Sequence, residues 1–137
     1  MKKILCLALL MMSFFAMWVC AAEVPDLIGN WTVSWSGYDA GVGYSNATQN
    51  PAFFVAIKDQ EGRIFSGDLI YRHRNGTAAV DELAGVIGLD NKSLYIAEVT
   101  GGYSFGSILS RDEIELIYLE DGKGMSVAID ELSRMKA

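Results

Sequence analysis

Apolar and polar residues alternate at every second position through most of the chain after residue 28. Trp31, Val33 and Trp35 alternate with asparagine, threonine and serine, which is the period of a strand with one face in a core and the other in solvent. Turn dipeptides such as Asn75-Gly76 separate further segments of this kind. The pattern predicts eight strands, at Ile28–Ser36, Phe53–Lys58, Arg63–His73, Val80–Ile87, Ser93–Val99, Tyr103–Leu109, Glu113–Leu119 and Met125–Leu132.

Short connections determine how these strands are arranged. After the first, every connection is too short for a crossover, so consecutive strands are expected to be antiparallel neighbours. Such a meander is expected to close into a barrel, because closure removes the exposed edges that invite aggregation. A β-sandwich is the alternative, and it would need longer connections between sheets. The predicted fold is all-β, an eight-stranded antiparallel up-and-down barrel preceded by an N-terminal signal helix.

One segment, Gly37 to Pro51, interrupts the alternation with glycines, asparagines and a proline. It is longer than most hairpin connections and predicts a long loop. Tyr38 and Tyr44 flank its glycines, and an aromatic ring with a polar tip suits a lid over the mouth of a barrel.

The first 22 residues resemble a secretion signal. Lys2 and Lys3 form a positive start, an apolar run follows, and small residues precede Glu23. Cleavage is expected after Ala21 or Ala22, which leaves residues 23–137 as one domain in an extracellular or periplasmic location. An uncleaved membrane anchor, a lipid anchor on Cys20 and a buried helix are the alternatives.

The excess of acidic residues limits the kinds of partner that the mature domain is expected to bind. Without Lys2 and Lys3, nine basic residues stand against 17 acidic ones, a balance that disfavours nucleic acid and, after cleavage, anionic membrane surfaces. The two cysteines, Cys6 and Cys20, both lie in the segment expected to be removed. A disulfide is therefore not predicted in the mature domain, and its stability must come from burial and strand pairing.

Gly29 and Trp31 at the first strand, the eight-strand meander and Arg134 near the end of the chain resemble the calycin group, the lipocalins and avidins. The resemblance implies a structural tryptophan across the barrel floor, covered by an arginine, and a small ligand that enters at the opposite mouth. It therefore implies a contact between Trp31 and Arg134. Avidins surround biotin with tryptophans from later strands, whereas none follows Trp35 here, so biotin is not the predicted ligand.

Inward-facing aromatic residues are the candidates for ligand contact. If Trp31, Val33 and Trp35 face inward, large residues of later strands are expected to share that face. These are Phe53, Val55, Ile57, Phe65, Leu69, Tyr71, Tyr103 and Phe105. The alternative is that these side chains fill the barrel and leave room only near the long loop. The predicted ligand-binding residues are Trp35, Tyr38, Tyr44, Phe53, Tyr71, Tyr103 and Phe105.

No residue cluster predicts catalysis, a metal or a cofactor. His73 is the single histidine and has neither a serine elbow nor a partnered cysteine, which excludes a recognisable triad and disfavours zinc. The strand carboxylates Asp68, Glu82, Glu98 and Glu115 are expected on the solvent face; a hydrolase or isomerase that uses Glu82, Glu98 or Asp68 is a third-ranked hypothesis.

The segment around Ile117 and Leu119 is apolar on both faces, so an outward strip there needs a cover. Two functions from different classes follow. The first is a secreted, non-enzymatic barrel that binds a small apolar or amphipathic molecule. The second is a structural or interaction barrel with a filled core that self-associates through Ile117 and Leu119.

Overall fold

A computed structural model describes residues 23–48, 53–72, 76–99 and 101–136. Residues 1–22, which contain the predicted signal helix and both cysteines, lie outside the described residues, as does His73. No helix among the described residues has the length and apolar character needed to cross a membrane. The strands are β1 (Gly29–Asp39), β2 (Gly43–Asn46), β3 (Phe54–Glu61), β4 (Ile64–Arg72), β5 (Ala78–Ile87), β6 (Ser93–Glu98), β7 (Tyr103–Ser110), β8 (Glu113–Glu120) and β9 (Ser126–Arg134).

An antiparallel meander from β3 to β9 is closed by pairing of β1 with both β3 and β9. The closing ladder is long, running from Trp31 opposite Arg134 to Asp39 opposite Ser126. These eight strands form the closed antiparallel barrel that the alternation predicted. The sandwich alternative is excluded, because the first and last strands of the meander pair with each other.

The prediction of one long loop over Gly37–Pro51 is wrong for its described part. Strand alternation continues to Asp39, and the chain then turns into β2, which pairs with β1 from Ser36 opposite Asn46 to Asp39 opposite Gly43. Gly41 and Gly43 have φ values of 83° and 96°, so these glycines serve a tight hairpin turn rather than an open loop. Residues 49–52 lie outside the described residues.

The inner face of the barrel contains the predicted residues of β1, β3 and β4. Trp31, Val33, Val55, Ile57 and Phe65 are buried in one cluster, against which Trp35, Phe53 and Leu69 pack. On β7 the predicted face is wrong. Tyr103 and Phe105 point outward with 62% and 42% of their surface exposed, whereas Ser104 is buried.

Two glycines of the barrel wall determine how closely a ring and a neighbouring strand approach. Gly85 lies opposite Phe65 on the neighbouring strand, and a Cβ on Gly85 would come within 2.3 Å of the Phe65 ring. A Cβ on Gly106 of β7 would come within 2.0 Å of a backbone oxygen of Glu115. Glycine therefore lets a ring or a strand approach closely at these positions. The inner face of β7 carries only small residues at Ser104 and Gly106, whereas Ile108 nearer the floor belongs to the core.

The end of the barrel where β1 begins is closed, and we call it the floor. Trp31 is completely buried, and its indole nitrogen donates to the Leu27 carbonyl at 3.1 Å. The Arg134 guanidinium carbon lies 4.2 Å from the Trp31 ring centroid, which confirms the predicted contact. Arg134 also donates to the carbonyl oxygens of Ile28 and Asp26 at 2.7 and 2.8 Å.

Gly29 completes the floor. Its φ of 137° is in a region that favours glycine, and an added Cβ would lie 3.2 Å from Nη1 of Arg134. The segment before it crosses beneath the barrel and is held by Gln60, which accepts from the Leu27 amide and donates to the Pro25 carbonyl, both at 2.8 Å. Access to the interior is therefore expected at the opposite end.

Candidate functional site

A cavity of about 370 Å³ lies inside the barrel above the floor. Its volume is within the range typical of small-molecule sites. It extends from Leu27 and Phe65 near the floor to Asp39 and Ser126 at the other end, which we call the mouth. The strand turns at the mouth join β1 to β2, β4 to β5, β6 to β7 and β8 to β9.

The chemistry of the cavity wall changes along its length. Its lower half is formed by apolar side chains from six strands and from the segment before β1. Its upper half carries carboxylates and hydroxyl groups, because the polar positions of the inner face are concentrated toward the mouth. The apolar residues include Leu27, Val55, Ile57, Phe65, Leu83, Leu94, Ile96, Ile114, Leu116 and Leu132, and the polar ones are Asp39, Tyr71, Arg72, Asp81, Glu98, Ser104, Tyr118, Ser126 and Asp130.

Three predicted ligand-binding residues, Trp35, Phe53 and Tyr71, line this cavity. The Trp35 and Phe53 ring centroids are 6.4 Å apart and tilted by 37°, so they form one aromatic section of the wall. Tyr71 lies nearer the mouth, where its hydroxyl donates to Asp81 at 2.9 Å. The structure therefore brings these three side chains together around a single cavity.

The other four predicted ligand-binding residues lie elsewhere. Tyr38 and Tyr44 form an edge-to-face pair with centroids 5.1 Å apart beside a shallow depression that also contains Ile117 and Ile129. They are on the outer face because β1 alternation continues through the segment taken for a loop, and Tyr44 is 88% exposed. Tyr103 and Phe105 are excluded from the cavity by the β7 face described above.

The expectation that the strand carboxylates face solvent is wrong for Glu98. Glu82 and Glu115 are exposed, and Asp68 forms an ion pair with Lys58, but Glu98 lines the cavity. It has the same inward parity as Leu94 and Ile96 on β6, both of which are buried. Reading β6 from its apolar residues would therefore have placed Glu98 inside.

Hydroxyl groups donate to three of the cavity carboxylates. Ser126 donates to Asp39 at 2.6 Å, Tyr71 donates to Asp81, and Ser104 donates to Glu98 at 3.1 Å. Each bond joins two neighbouring strands of the wall and fixes its carboxylate in place. Tyr118 similarly donates to Glu120 at 3.1 Å.

Asp130 differs from these three carboxylates. Only 7% of its surface is exposed, and its Oδ1 atom receives no hydrogen bond from the described part of the chain. Asp130 lies opposite Trp35 of β1 and opposite Leu116 of β8, on the inner face and beside the aromatic section of the wall. A buried carboxylate oxygen without a donor is costly in a folded protein and calls for a specific explanation.

The pKa values of this region reflect burial and mutual repulsion. Burial, followed by the nearby Glu98 charge, raises the pKa of Asp130 to about 7. Burial likewise raises the pKa of Glu98 despite the opposing Ser104 hydrogen bond, and Asp81 and Glu120 add to the increase. The pKa of Tyr118 is also raised, first by burial and then by Glu120. Shifts of this kind concentrate at functional sites.

Four of the polar lining residues, Asp130, Asp81, Tyr118 and Ser104, were not among the predicted site residues. The signal for Asp130 was present, since it shares strand parity with Leu132, two positions on, and Leu132 is a core residue. Within the described residues, no group of three or more histidine, cysteine or acidic side chains is arranged to hold a metal ion.

Comparisons with known proteins show the fold. No family model matches the chain, and no curated protein matches it. A redesigned β-barrel is similar to it with a TM-score of 0.62 at 11% identity, over 88% of this chain and 98% of the other. A de novo designed fluorescence-activating β-barrel is similar with a TM-score of 0.51 at 13% identity, over 87% and 100%.

Proposed function

We propose that this protein is a secreted barrel that binds a small amphipathic molecule in its cavity without converting it. The observation that carries the proposal is the shape and lining of the cavity, which is closed by an apolar floor, open at the mouth and polar only in its upper half. Apolar pockets with a few placed polar groups are typical of small-molecule sites. The fluorescence-activating barrel noted above is a designed protein of the same fold.

Trp35 provides a direct test, because it lines the cavity whereas Trp31 is sealed in the floor. We expect titration of the purified chain with small amphipathic compounds to change its tryptophan emission saturably. The matched variant Trp35→Phe keeps an aromatic wall and should lose most of this response. Native mass spectrometry of the same samples should show one bound molecule per chain. Failure of chemically varied amphipaths to bind would contradict the proposal.

Secretion forms part of the proposal and rests on the sequence of the first 22 residues. Mass spectrometry of the protein recovered from its own cells should give a chain that begins at Ala22 or Glu23. A chain that still carries the apolar segment would instead support the membrane anchor, and a lipid on Cys20 would support lipidation.

Self-association through the outer sheet face is a second candidate, favoured by rows of exposed apolar residues. Ile117 lies opposite Phe105 and Ile129 on the two neighbouring strands, and Leu119 lies opposite Tyr103 and Val127. Rows this continuous are typical of protein interfaces. The first row extends through paired positions on six strands, at Ile64, Val86, Tyr95, Phe105, Ile117 and Ile129.

Size measurement by light scattering would test this candidate. We expect an oligomer that Leu119→Glu converts to a monomer, since a charge inside an apolar contact is expensive to bury. Ala78→Glu is the matched control, because Ala78 is exposed on β5 and lies opposite Arg72. A wild-type monomer at high concentration would exclude self-association and leave the ligand-binding proposal unaffected.

A further inference from the structure

The upper half of the cavity carries more negative than positive groups. Asp39, Asp81, Glu98 and Asp130 line it, and Arg72 is the basic side chain among its described lining residues. Arg72 is exposed at the rim, where Nη1 donates to the Gly76 carbonyl at 3.2 Å. A carboxylate or phosphate ligand would therefore meet repulsion inside the barrel, whereas a cation would be attracted.

Hydrogen bonding separates Asp130 from the other carboxylates. A serine or tyrosine hydroxyl donates to Asp39, Asp81 and Glu98, whereas Oδ1 of Asp130 is buried without a donor from the described residues. The carboxylate that lacks a donor from the described residues is on the inner face of β9, two residues from the core residue Leu132. A ligand with N–H groups would supply the missing donor.

The neighbours of Asp130 suit an ammonium group. Trp35 is its cross-strand partner on β1, and directly opposite side chains on one face of a sheet are close enough to contact the same ligand atom. A positive charge is stabilised by an aromatic ring and by a carboxylate together. Toward the floor, Leu132 and its cross-strand partner Ile114 offer an apolar surface for the rest of the molecule.

We propose that the cavity selects an organic ammonium ion with an apolar body, which donates to the Asp130 carboxylate beside Trp35 and places its body toward the floor. This inference rests on the proposed function, because it names the class of ligand for the same cavity. Glu98 adds a second negative charge near the ammonium group. A bound positive charge would lower the raised pKa of Asp130.

Three compounds with the same eight-carbon body test the inference: octylammonium, 1-octanol and octanoate. Calorimetric titration of the purified chain at pH 8, where Asp130 is mostly charged, should rank octylammonium first and octanoate last. We expect octylammonium to bind at least about tenfold more tightly than 1-octanol, since a charge-assisted hydrogen bond replaces a neutral one.

Three variants separate the role of Asp130 from the effect of negative charge in general. Asp130→Asn should abolish the preference for octylammonium while 1-octanol still binds, which shows that the cavity is intact. Glu115→Gln removes one charge from an exposed position on the outer face and should keep the preference. Glu98→Gln should reduce it by a smaller factor than Asp130→Asn, because Glu98 already accepts from Ser104.

The outcomes distinguish a failure of the ammonium inference from a failure of the proposed binding function. If all three compounds bind equally, or if Asp130→Asn retains the preference, the ammonium inference is wrong and the binding cavity stands. If octylammonium and 1-octanol both fail to bind, the inference and the proposed cavity function fall together. A response to calcium chloride in the absence of any amine, lost in Asp130→Asn, would assign the carboxylates to a metal ion and overturn the inference.

Discussion

The floor and the mouth half of the barrel use polar groups in opposite ways. At the floor, Arg134 places its guanidinium over Trp31 and donates to two carbonyl oxygens. Toward the mouth, Asp130 and Glu98 are buried with raised pKa values, and one Asp130 oxygen has no donor among the described residues. The floor satisfies the polar groups that it buries, whereas the mouth half leaves one of them unsatisfied.

This difference separates stability from function. A satisfied cation stacked on a buried ring stabilises the fold, whereas a buried carboxylate without a donor costs stability. Costs of this kind concentrate at functional sites, and under the proposed function a bound ligand would offset this one. Removal of the buried polar group should therefore change stability in opposite directions in the two halves.

The largest effect is expected from a comparison of two tryptophans on β1. Trp31→Ala should lower the free energy of unfolding by about 5 kcal/mol, because it empties a fully buried site and removes the Arg134 contact. Trp35→Ala should cost about 2 kcal/mol, because Trp35 is half-buried beside an existing cavity. Urea unfolding of both variants measures the difference, and equal losses would show that the floor is not the stronger half.

A smaller loss of stability is expected when the floor keeps Trp31 but loses the positive charge of Arg134. Arg134→Met should destabilise the fold by about 3 kcal/mol, since it removes the stacked charge and leaves the carbonyl oxygens of Asp26 and Ile28 without their donors. Arg134→Lys preserves the charge but not the planar fork, and should recover part of the loss. A lysine variant as stable as the wild type would mean that charge alone is sufficient.

Asp130→Asn should change stability in the opposite direction and with a dependence on pH. The pKa of Asp130 is raised from 3.8 to about 7 in the folded state, so between these values the folded protein binds more protons than the unfolded chain. Its stability therefore falls as pH rises from about 4 to about 7. The asparagine variant lacks this loss, and we expect it to be similar to wild type at pH 4 and more stable at pH 8.

The pKa difference limits the gain in stability from Asp130→Asn to about 4 kcal/mol. Because the buried amide incurs a cost of its own, a gain of about 2 kcal/mol is expected at pH 8. Glu98 and Tyr118 are the titratable neighbours whose pKa values are coupled to Asp130, and Glu98→Gln should shift the same transition to lower pH. Thermal unfolding across this pH range tests both. An Asp130→Asn variant that is less stable at pH 8 would contradict the argument.

The strands were predictable from the sequence because their alternation and their turn residues agree. Trp31, Val33 and Trp35 are followed by further alternating segments, and Asn75-Gly76 and similar pairs mark the breaks. The Trp31–Arg134 contact was also predicted, from a resemblance rather than from the pattern. The β1–β2 hairpin was missed, because its glycines and asparagines indicate a turn but do not show where pairing resumes.

The site was less predictable because alternation defines two faces without saying which one is inside. On β7 the large residues Tyr103 and Phe105 are outside and Ser104 and Gly106 are inside, so side-chain size is misleading there. Both faces of the β7–β9 region are partly apolar. The difference in polarity between the two faces, from which the inner face is assigned, is therefore lost there. Asp130 and Glu98 are assigned to the inner face by the core residues two positions away on the same strand. The polarity of the two residues themselves would place them on the outer face.

Both ends of the described chain lie beneath the floor. Glu23 accepts from Asn91 in the turn between β5 and β6 at 3.5 Å, and Met135 donates through its amide to the Asn30 carbonyl at 2.8 Å. Any tether, carrier domain or surface attachment joined at either terminus would therefore connect to the floor end of the barrel. The mouth would lie at the end opposite the point of attachment.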